Sequence, residues 1–189
     1  MTREEAYKLV CEKTSNKNLV RHMVAVEACM RALAEKLDGD PDIWGLAGLL
    51  HDVDYESVKD NEPTKNHIKV AMEWLEDKDV PEEVINAIKA HGWQFVEGMP
   101  EPVTPMEWAL YTCDELTGFI VAVALVKGGK LSEVEVSSVM KKWGQKAFAA
   151  GVHREQIELC DEKLGIKLPE FVEMCLNAMK EIKGELGLS

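Results

Sequence analysis

The sequence contains no closely spaced pair of cysteines. Its five cysteines are odd in number and scattered along 189 residues, which argues against both a disulfide framework and a thiolate metal site and is typical of a reducing cytosol. Residues 1–5 contain no apolar signal region, and no uninterrupted apolar run approaches the length of a membrane span. We therefore expect a cytoplasmic protein that does not enter a membrane.

Basic residues are also in short supply. Lysine and arginine number 22 against 34 aspartates and glutamates, which gives a formal net charge of −12. Such a charge disfavours binding to nucleic acid polymers or to anionic membranes. The segment 127–154 departs from this pattern, because it holds six basic residues and only two acidic ones. A local basic patch on an acidic protein is compatible with a small phosphorylated substrate.

The sustained apolar–polar alternation of a β-strand is absent as well, whereas helical spacing recurs. Length and composition are those of one ordinary globular domain, which we place at residues 1–189. Residues 2–5 and 104–107 have the pattern of capping boxes that begin helices. Thr64 is predicted to cap another helix, which carries His67 in its first turn. The predicted fold class is all-α, a globular helical bundle.

A histidine and a carboxylate end the apolar run at residues 44–50. They are His51 and Asp52, and burying such a pair without a partner is costly, whereas a divalent metal would compensate both. A single inward histidine is more often a hydrogen-bonded core residue than a ligand, so one pair alone is weak. The prediction of a metal site depends on the whole ordered set, which is His22, His51, Asp52, His67, His91 and Asp114.

This ordered set resembles the HD superfamily of metal-dependent phosphohydrolases, over about residues 18–126. The surrounding residues carry the resemblance too: Leu49-Leu50-His51-Asp52, Ala87-Ile88-Lys89-Ala90-His91 and Ala109-Leu110-Tyr111-Thr112-Cys113-Asp114. The whole chain resembles a group of that superfamily known only as predicted hydrolases. The resemblance implies an HD-type helical bundle with a metal-binding core and a C-terminal helical extension at about residues 130–186.

The resemblance also assigns ligands to ions. A first ion would take His22, His51, Asp52 and Asp114. The binuclear branch of the superfamily adds His67 and His91, which lie between Asp52 and Asp114 in the chain, and Asp52 would then be the bridge. Two such ions hold a bridging hydroxide and clamp a phosphoryl group for attack. The imidazole-rich set favours Mn, Fe, Ni, Co or Zn. The implied function is hydrolysis of a small phosphate ester such as a nucleotide.

Candidate substrate-binding residues lie in the basic segment and close to the predicted metal ligands. Lys141, Lys142, Lys146 and Arg154 are candidates for binding phosphate, Arg154 above all because a guanidinium binds two phosphate oxygens at once. The alternative is a solvated helix face. Trp93 either stacks on the substrate or packs in the core.

Asp54 follows the bridging carboxylate by two residues and has two interpretations. As a catalytic residue it would supply a proton to the leaving group. As a supporting residue it would orient a ligand histidine.

Two other functions remain open. The same six ligands occur in HD-type di-iron oxygenases, and ligand identity alone does not separate oxygen activation from hydrolysis. A non-catalytic regulatory module stabilised by metal is the other alternative, and it differs in that a structural site is closed to solvent.

Overall fold

The computed structural model describes residues 1–189 and contains eleven α-helices, one 3₁₀ turn and no strand. The prediction of an all-α fold is confirmed. In chain order the helices are α1 (Arg3–Lys13), α2 (Lys17–Lys36), α3 (Pro41–Leu50), α4 (Tyr55–Val58), α5 (Pro63–Asn66), α6 (Lys69–Leu75), α7 (Glu82–His91), α8 (Pro105–Val126), α9 (Val136–Trp143), α10 (Arg154–Leu164) and α11 (Leu168–Glu181), with the 3₁₀ turn Leu131–Glu133 before α9.

Helices α2 and α8 lie at the centre of the bundle. The α2 helix packs on α3, α8 and α11, and α8 packs on α2, α7 and α10. One continuous cluster of buried apolar side chains extends from Ala6 near the N-terminus to Leu188 near the C-terminus. The two C-terminal helices α10 and α11 therefore share the core of the helices that carry the predicted metal ligands.

The α8 helix is long and apolar enough, by length and composition alone, to cross a membrane. The sequence prediction concerned uninterrupted apolar runs, and Glu107, Asp114 and Glu115 interrupt the apolar residues of this helix. In the fold most of the helix is buried against its neighbours. The apolar side chains of α8 therefore pack against neighbouring helices, as in the core helix of a globular protein.

Side-chain caps begin α1, α3 and α8, and the caps of α1 and α8 are the two predicted capping boxes. Thr2 and Thr104 each accept a hydrogen bond from the backbone N–H three residues later, and the glutamate at that position bonds back, so both capping boxes form. Asp40 caps α3 ahead of a proline at its first position. These ends are set by side chains that satisfy otherwise unpaired N–H groups.

The predicted continuous helix from Thr64 through His67 is wrong. Helix α5 ends at Asn66, α6 begins at Lys69, and Ile68 between them has φ +71°. A β-branched residue rarely adopts this left-handed conformation because its side chain crowds the backbone. The break turns His67 towards Asp52 and Asp54, which a straight helix would not do.

A glycine allows α2 and α3 to approach closely just before the His51 position. A Cβ atom on Gly48 would lie 2.8 Å from the backbone nitrogen of Glu27, closer than any packed Cβ tolerates. The carbonyl of Gly48 also accepts a hydrogen bond from His51. The same residue therefore sets the spacing of two helices and the orientation of one predicted ligand.

Candidate metal centre

The six predicted ligands meet at one place in the fold and form two groups. The first group is His22 on α2, His51 just after α3 and Asp114 on α8, and the second is Asp52, His67 and His91 at the end of α7. Within each group one potential ligand atom from every residue lies within 4.8 Å of the others. Each group is able to hold a divalent metal ion.

The two oxygens of the Asp52 carboxylate face different histidines. Oδ1 lies 3.2 Å from His67 Nε2 and 3.6 Å from His91 Nε2. Oδ2 lies 3.6 Å from His51 Nε2 and 3.8 Å from His22 Nε2. Asp52 thus stands between the two groups with one oxygen directed to each.

Backbone carbonyls orient two of the four histidines. His51 Nδ1 lies 2.8 Å from the carbonyl oxygen of Gly48, and His91 Nδ1 bonds the carbonyl oxygen of Ile88. A carbonyl oxygen can only accept, so Nδ1 carries the proton in both rings. When the ring is neutral, its lone pair is therefore on Nε2.

Side chains orient the other two histidines. His67 Nδ1 donates to Asp54 Oδ1 at 2.8 Å, and His22 Nδ1 lies 3.2 Å from the hydroxyl oxygen of Thr117. That hydroxyl donates to the Asp114 carbonyl at 2.9 Å, so it accepts from His22. All four histidines consequently present Nε2 to the centre, and ligand histidines in metalloproteins are held in this way by a partner on the other nitrogen.

Opposing effects set the protonation of the histidines. Burial favours the neutral ring of His51, but the charges of Asp52 and Asp114 outweigh it and raise its pKa to about 9. Burial likewise disfavours the charged ring of His67, and the carboxylates of Asp52 and Asp54 raise its pKa to about 10. His91 is different, since burial is the dominant effect and lowers its pKa.

The residues present fit a divalent transition metal. His51 is fully buried, and its Nε2 has no hydrogen-bond partner in the protein. An unpaired buried nitrogen is unfavourable unless a ligand satisfies it. Four imidazoles with two carboxylates also match the preference of Mn, Fe, Co, Ni and Zn over the purely oxygen-ligated Mg and Ca. A metal is therefore the partner that this donor set is built to take.

A cavity of about 390 Å³ opens beside the ligands. Five of the six predicted ligands line it, namely His22, Asp52, His67, His91 and Asp114. The remaining lining residues include Tyr55, Phe95, Glu115 and Gln156, and none is a lysine or an arginine. The site is open to a small molecule, unlike a closed structural metal site.

The predicted phosphate-binding residues are not brought to this cavity. Arg154 is half-buried and donates to the carbonyl oxygens of Trp143 at 3.0 Å, Gln145 at 3.3 Å and Phe148. Its guanidinium therefore holds the turn that follows α9. Lys142 donates to the side chain of Gln145, and neither Lys141 nor Lys146 lines the cavity.

Trp93 and Asp54 are also placed by the structure. Trp93 packs edge-on against Trp108, with ring centres 5.7 Å apart, and does not line the cavity. Asp54 is fully buried. Its Oδ1 accepts from His67 and its Oδ2 accepts from the backbone N–H of Ala71 at 3.0 Å. This placement corresponds to the second interpretation of Asp54, as a carboxylate that orients a ligand histidine.

Three polar residues that line the cavity were not predicted from the sequence, namely Tyr55, Glu115 and Gln156. Tyr55 contacts the His67 ring edge-on, with centres 5.4 Å apart, and directly follows Asp54 in the chain, so proximity to the motif was an available signal. Glu115 follows a predicted ligand in the same way. Gln156 lies on α10, within the predicted C-terminal helical extension, and nothing in the pattern of that segment indicates a site.

Comparison with known proteins agrees with this geometry. The HD domain family matches residues 19–117, just over half of the chain. The chain is also similar to ribonuclease Y of Alkaliphilus metalliredigens (strain QYMF), with 32% identity over 78 residues, which is 41% of this chain. The match spans only 16% of that ribonuclease.

Proposed function

The chain belongs to the HD domain family, and from its two ligand groups we propose that it is a binuclear, metal-dependent phosphohydrolase acting on a small phosphate ester. HD domains are typically metal-dependent hydrolases, so the proposal adds the number of ions and the class of ester. The observation that carries it is the position of Asp52. One of its two oxygens faces His51 of the first group, and the other faces His67 of the second group. This carboxylate could therefore contribute a ligand atom to each of two ions.

The protein residues would hold the ions and the substrate in place. Divalent ions bound there would neutralise phosphoryl charge and make water a stronger nucleophile. In the reaction the oxygen of water forms a bond to phosphorus, the ester P–O bond breaks, and the alcohol leaves with a proton. For a phosphate monoester, the products are the alcohol and inorganic phosphate, which keeps the second proton of the water.

Tyr55 supplies the only hydroxyl group among the residues that line the cavity. Burial, with the charges of Asp52 and Asp114, raises the pKa of its phenol, so the O–H group stays a donor at neutral pH. We assign it a hydrogen bond to an oxygen of the phosphoryl group. Such a donor is most useful where negative charge develops during the reaction.

Two further observations support a small phosphate ester. The name of the similar protein, ribonuclease Y, describes an enzyme that cleaves phosphate esters of RNA, and phosphate-ester chemistry is the part we carry over. A polymer substrate is disfavoured here by the net charge of −12 and by a cavity without lysine or arginine. We propose a small cytoplasmic substrate instead.

Elemental analysis and phosphatase assays together test the proposal. The purified chain is compared with Asp52→Ala and with Asp60→Ala, a matched change at an exposed aspartate. We expect about two ions per chain in the wild type and in Asp60→Ala, with turnover of p-nitrophenyl phosphate, and loss of both ions and turnover in Asp52→Ala.

Other outcomes would overturn the proposal in identifiable ways. One ion per chain would remove His67 and His91 from the ligand set. Two irons with oxygen consumption and no phosphatase activity would indicate an oxygenase. No bound metal after reconstitution with each of the five ions would mean that the cluster is not a metal centre.

A further inference from the structure

Gln156 is a buried glutamine in the wall of the cavity with one unsatisfied oxygen. It lies on α10 and is only 4% exposed. Its Nε2 donates to the carbonyl oxygen of Tyr111 on α8, whereas its Oε1 is buried and has no hydrogen-bond partner. The residue also lines the cavity beside the ligands.

The orientation of this amide is determined by its partner. Exchanging the nitrogen and oxygen of the Gln156 side chain would bring its oxygen against the Tyr111 carbonyl oxygen, and two acceptors repel each other. Oε1 is therefore the atom left without a partner. A buried acceptor without a donor destabilises the protein, and such atoms in native structures are commonly satisfied by a ligand or by water.

The surroundings of Gln156 indicate what kind of group would satisfy it. Glu115 lines the same cavity, and its carboxylate accepts from the backbone N–H of His153 at 3.1 Å. Phe95, which is 38% exposed, offers an aromatic face beside the ring of His153 at 4.8 Å. With no lysine or arginine in the lining, this wall accepts hydrogen bonds and has no cation for a second phosphate.

We propose that Gln156 determines specificity by accepting a hydrogen bond from the organic part of the substrate. The substrate class is then a phosphate monoester whose alcohol carries a hydroxyl or amino donor within reach of Gln156 Oε1. This inference rests on the proposed phosphohydrolase function. It adds a residue and a substrate feature that the metal ligands do not specify.

Matched pairs of phosphate esters test the inference on the metal-loaded full chain. Adenylate is compared with its analogue that lacks the exocyclic amine, and sorbitol phosphate is compared with hexyl phosphate. We expect the wild type to prefer the donor-bearing member of at least one pair by about ten- to a hundred-fold in kcat/KM. The pair that shows the preference identifies the donor as an amine or a hydroxyl.

Variants assign this preference to Gln156. Gln156→Met keeps the length of the side chain but has no amide oxygen, and should bring the ratio within the pair close to one. Gln145→Met makes the same change at an exposed glutamine and should keep the wild-type ratio. Gln156→Lys keeps a donor for the Tyr111 carbonyl oxygen but has no acceptor, so it should also bring the ratio close to one and serves as the informative variant if Gln156→Met does not fold.

The inference and the function on which it rests fail differently. If the wild type hydrolyses p-nitrophenyl phosphate but shows no preference in either pair, the role of Gln156 is overturned while the phosphohydrolase stands. If the wild-type preference remains in Gln156→Met, the role of Gln156 is also overturned and the proposed phosphohydrolase function stands. If the wild type with each candidate metal hydrolyses no phosphate ester at all, the proposed function itself is overturned.

Discussion

Asp54 Oδ1 accepts a hydrogen bond from His67 Nδ1 at 2.8 Å, and this bond leaves His67 Nε2 facing Asp52. Asp54 is fully buried and thus acts on the second ligand group through His67 rather than through the substrate. Asp54→Ala should lower the affinity for one of two ions by about 10–100-fold and leave the other in place. Metal titration by calorimetry measures the two affinities separately.

The exposed Asp60 provides the control for this variant, since Asp60→Ala removes a carboxylate from the same part of the chain without touching a ligand. If Asp54→Ala lowered the affinity for both ions equally, the Asp54 carboxylate would support the whole metal centre and not only the His67 ring.

Metal binding should release protons. The pKa values of His51 and His67 are about 9 and about 10 in the metal-free protein, so both rings carry an extra proton at neutral pH. A metal requires neutral imidazole, and binding should therefore release about two protons per chain at pH 7 and strengthen as pH rises. Calorimetry in buffers of different ionisation enthalpy counts these protons. Release of none would contradict the assignment.

The same groups give the metal-free protein a particular pH dependence of stability. The pKa values of His51 and His67 in the folded protein both lie above the ordinary histidine value. The charged rings therefore contribute their full stabilisation to the fold below about pH 6.5, and this contribution is lost as the pH rises through 9 and 10. Thermal unfolding of the chelated protein should show Tm falling over that range. A flat or rising Tm would contradict it.

Tyr55→Phe removes the one hydroxyl of the cavity lining. We expect kcat for phosphate-ester hydrolysis to fall by about ten- to a hundred-fold with unchanged metal content, because the donor to the phosphoryl group is lost and no ligand is altered. Tyr7→Phe, at a tyrosine that is 40% exposed, is the matched control. Unchanged kcat in Tyr55→Phe would withdraw the role of this hydroxyl.

Gly48→Ala should force α2 and α3 apart. The added Cβ would meet the backbone of Glu27 at 2.8 Å, and backbone cannot move aside as a flexible side chain can. We expect a loss of about 1–3 kcal/mol in the free energy of unfolding, together with weaker metal binding because the Gly48 carbonyl orients His51. Gly144→Ala, where a Cβ meets nothing within 4 Å, should leave metal affinity unchanged in titrations.

Arg154→Met tests whether the basic segment serves structure or substrate. Its guanidinium bonds backbone carbonyls, including those of Trp143 and Phe148, so we expect a loss of about 2 kcal/mol in stability and Tm lower by roughly 4–8 °C. KM for phosphate esters should stay near the wild-type value. A large rise in KM with unchanged Tm would instead restore Arg154 as a phosphate-binding residue.

The all-α class and the starts of α1 and α8 could be predicted because local chemistry decides them. The Thr2 and Thr104 capping boxes form as expected. The set of six predicted ligands could be proposed because buried imidazoles and carboxylates need a partner and because the resemblance to the HD superfamily assigns these residues to metal ions.

The break at Ile68 and the roles of Arg154 and Gln156 could not be predicted. A left-handed isoleucine contradicts local preference and is maintained by tertiary contacts of its neighbour His67. An arginine in a basic run has the same sequence signature whether it binds phosphate or carbonyl groups. The unsatisfied oxygen of Gln156 exists only because α10 packs on α8.

The break between α5 and α6 also makes the two halves of the centre unequal in stiffness. His22 and Asp114 project from long helices, whereas His67 sits in a short irregular connection next to a strained residue. When metal is scarce, we expect the group that contains His22 and Asp114 to bind an ion first. The group that contains His67 should bind its ion last and lose it first. In the proposed two-ion centre, chains that hold one ion and chains that hold two would then differ in activity.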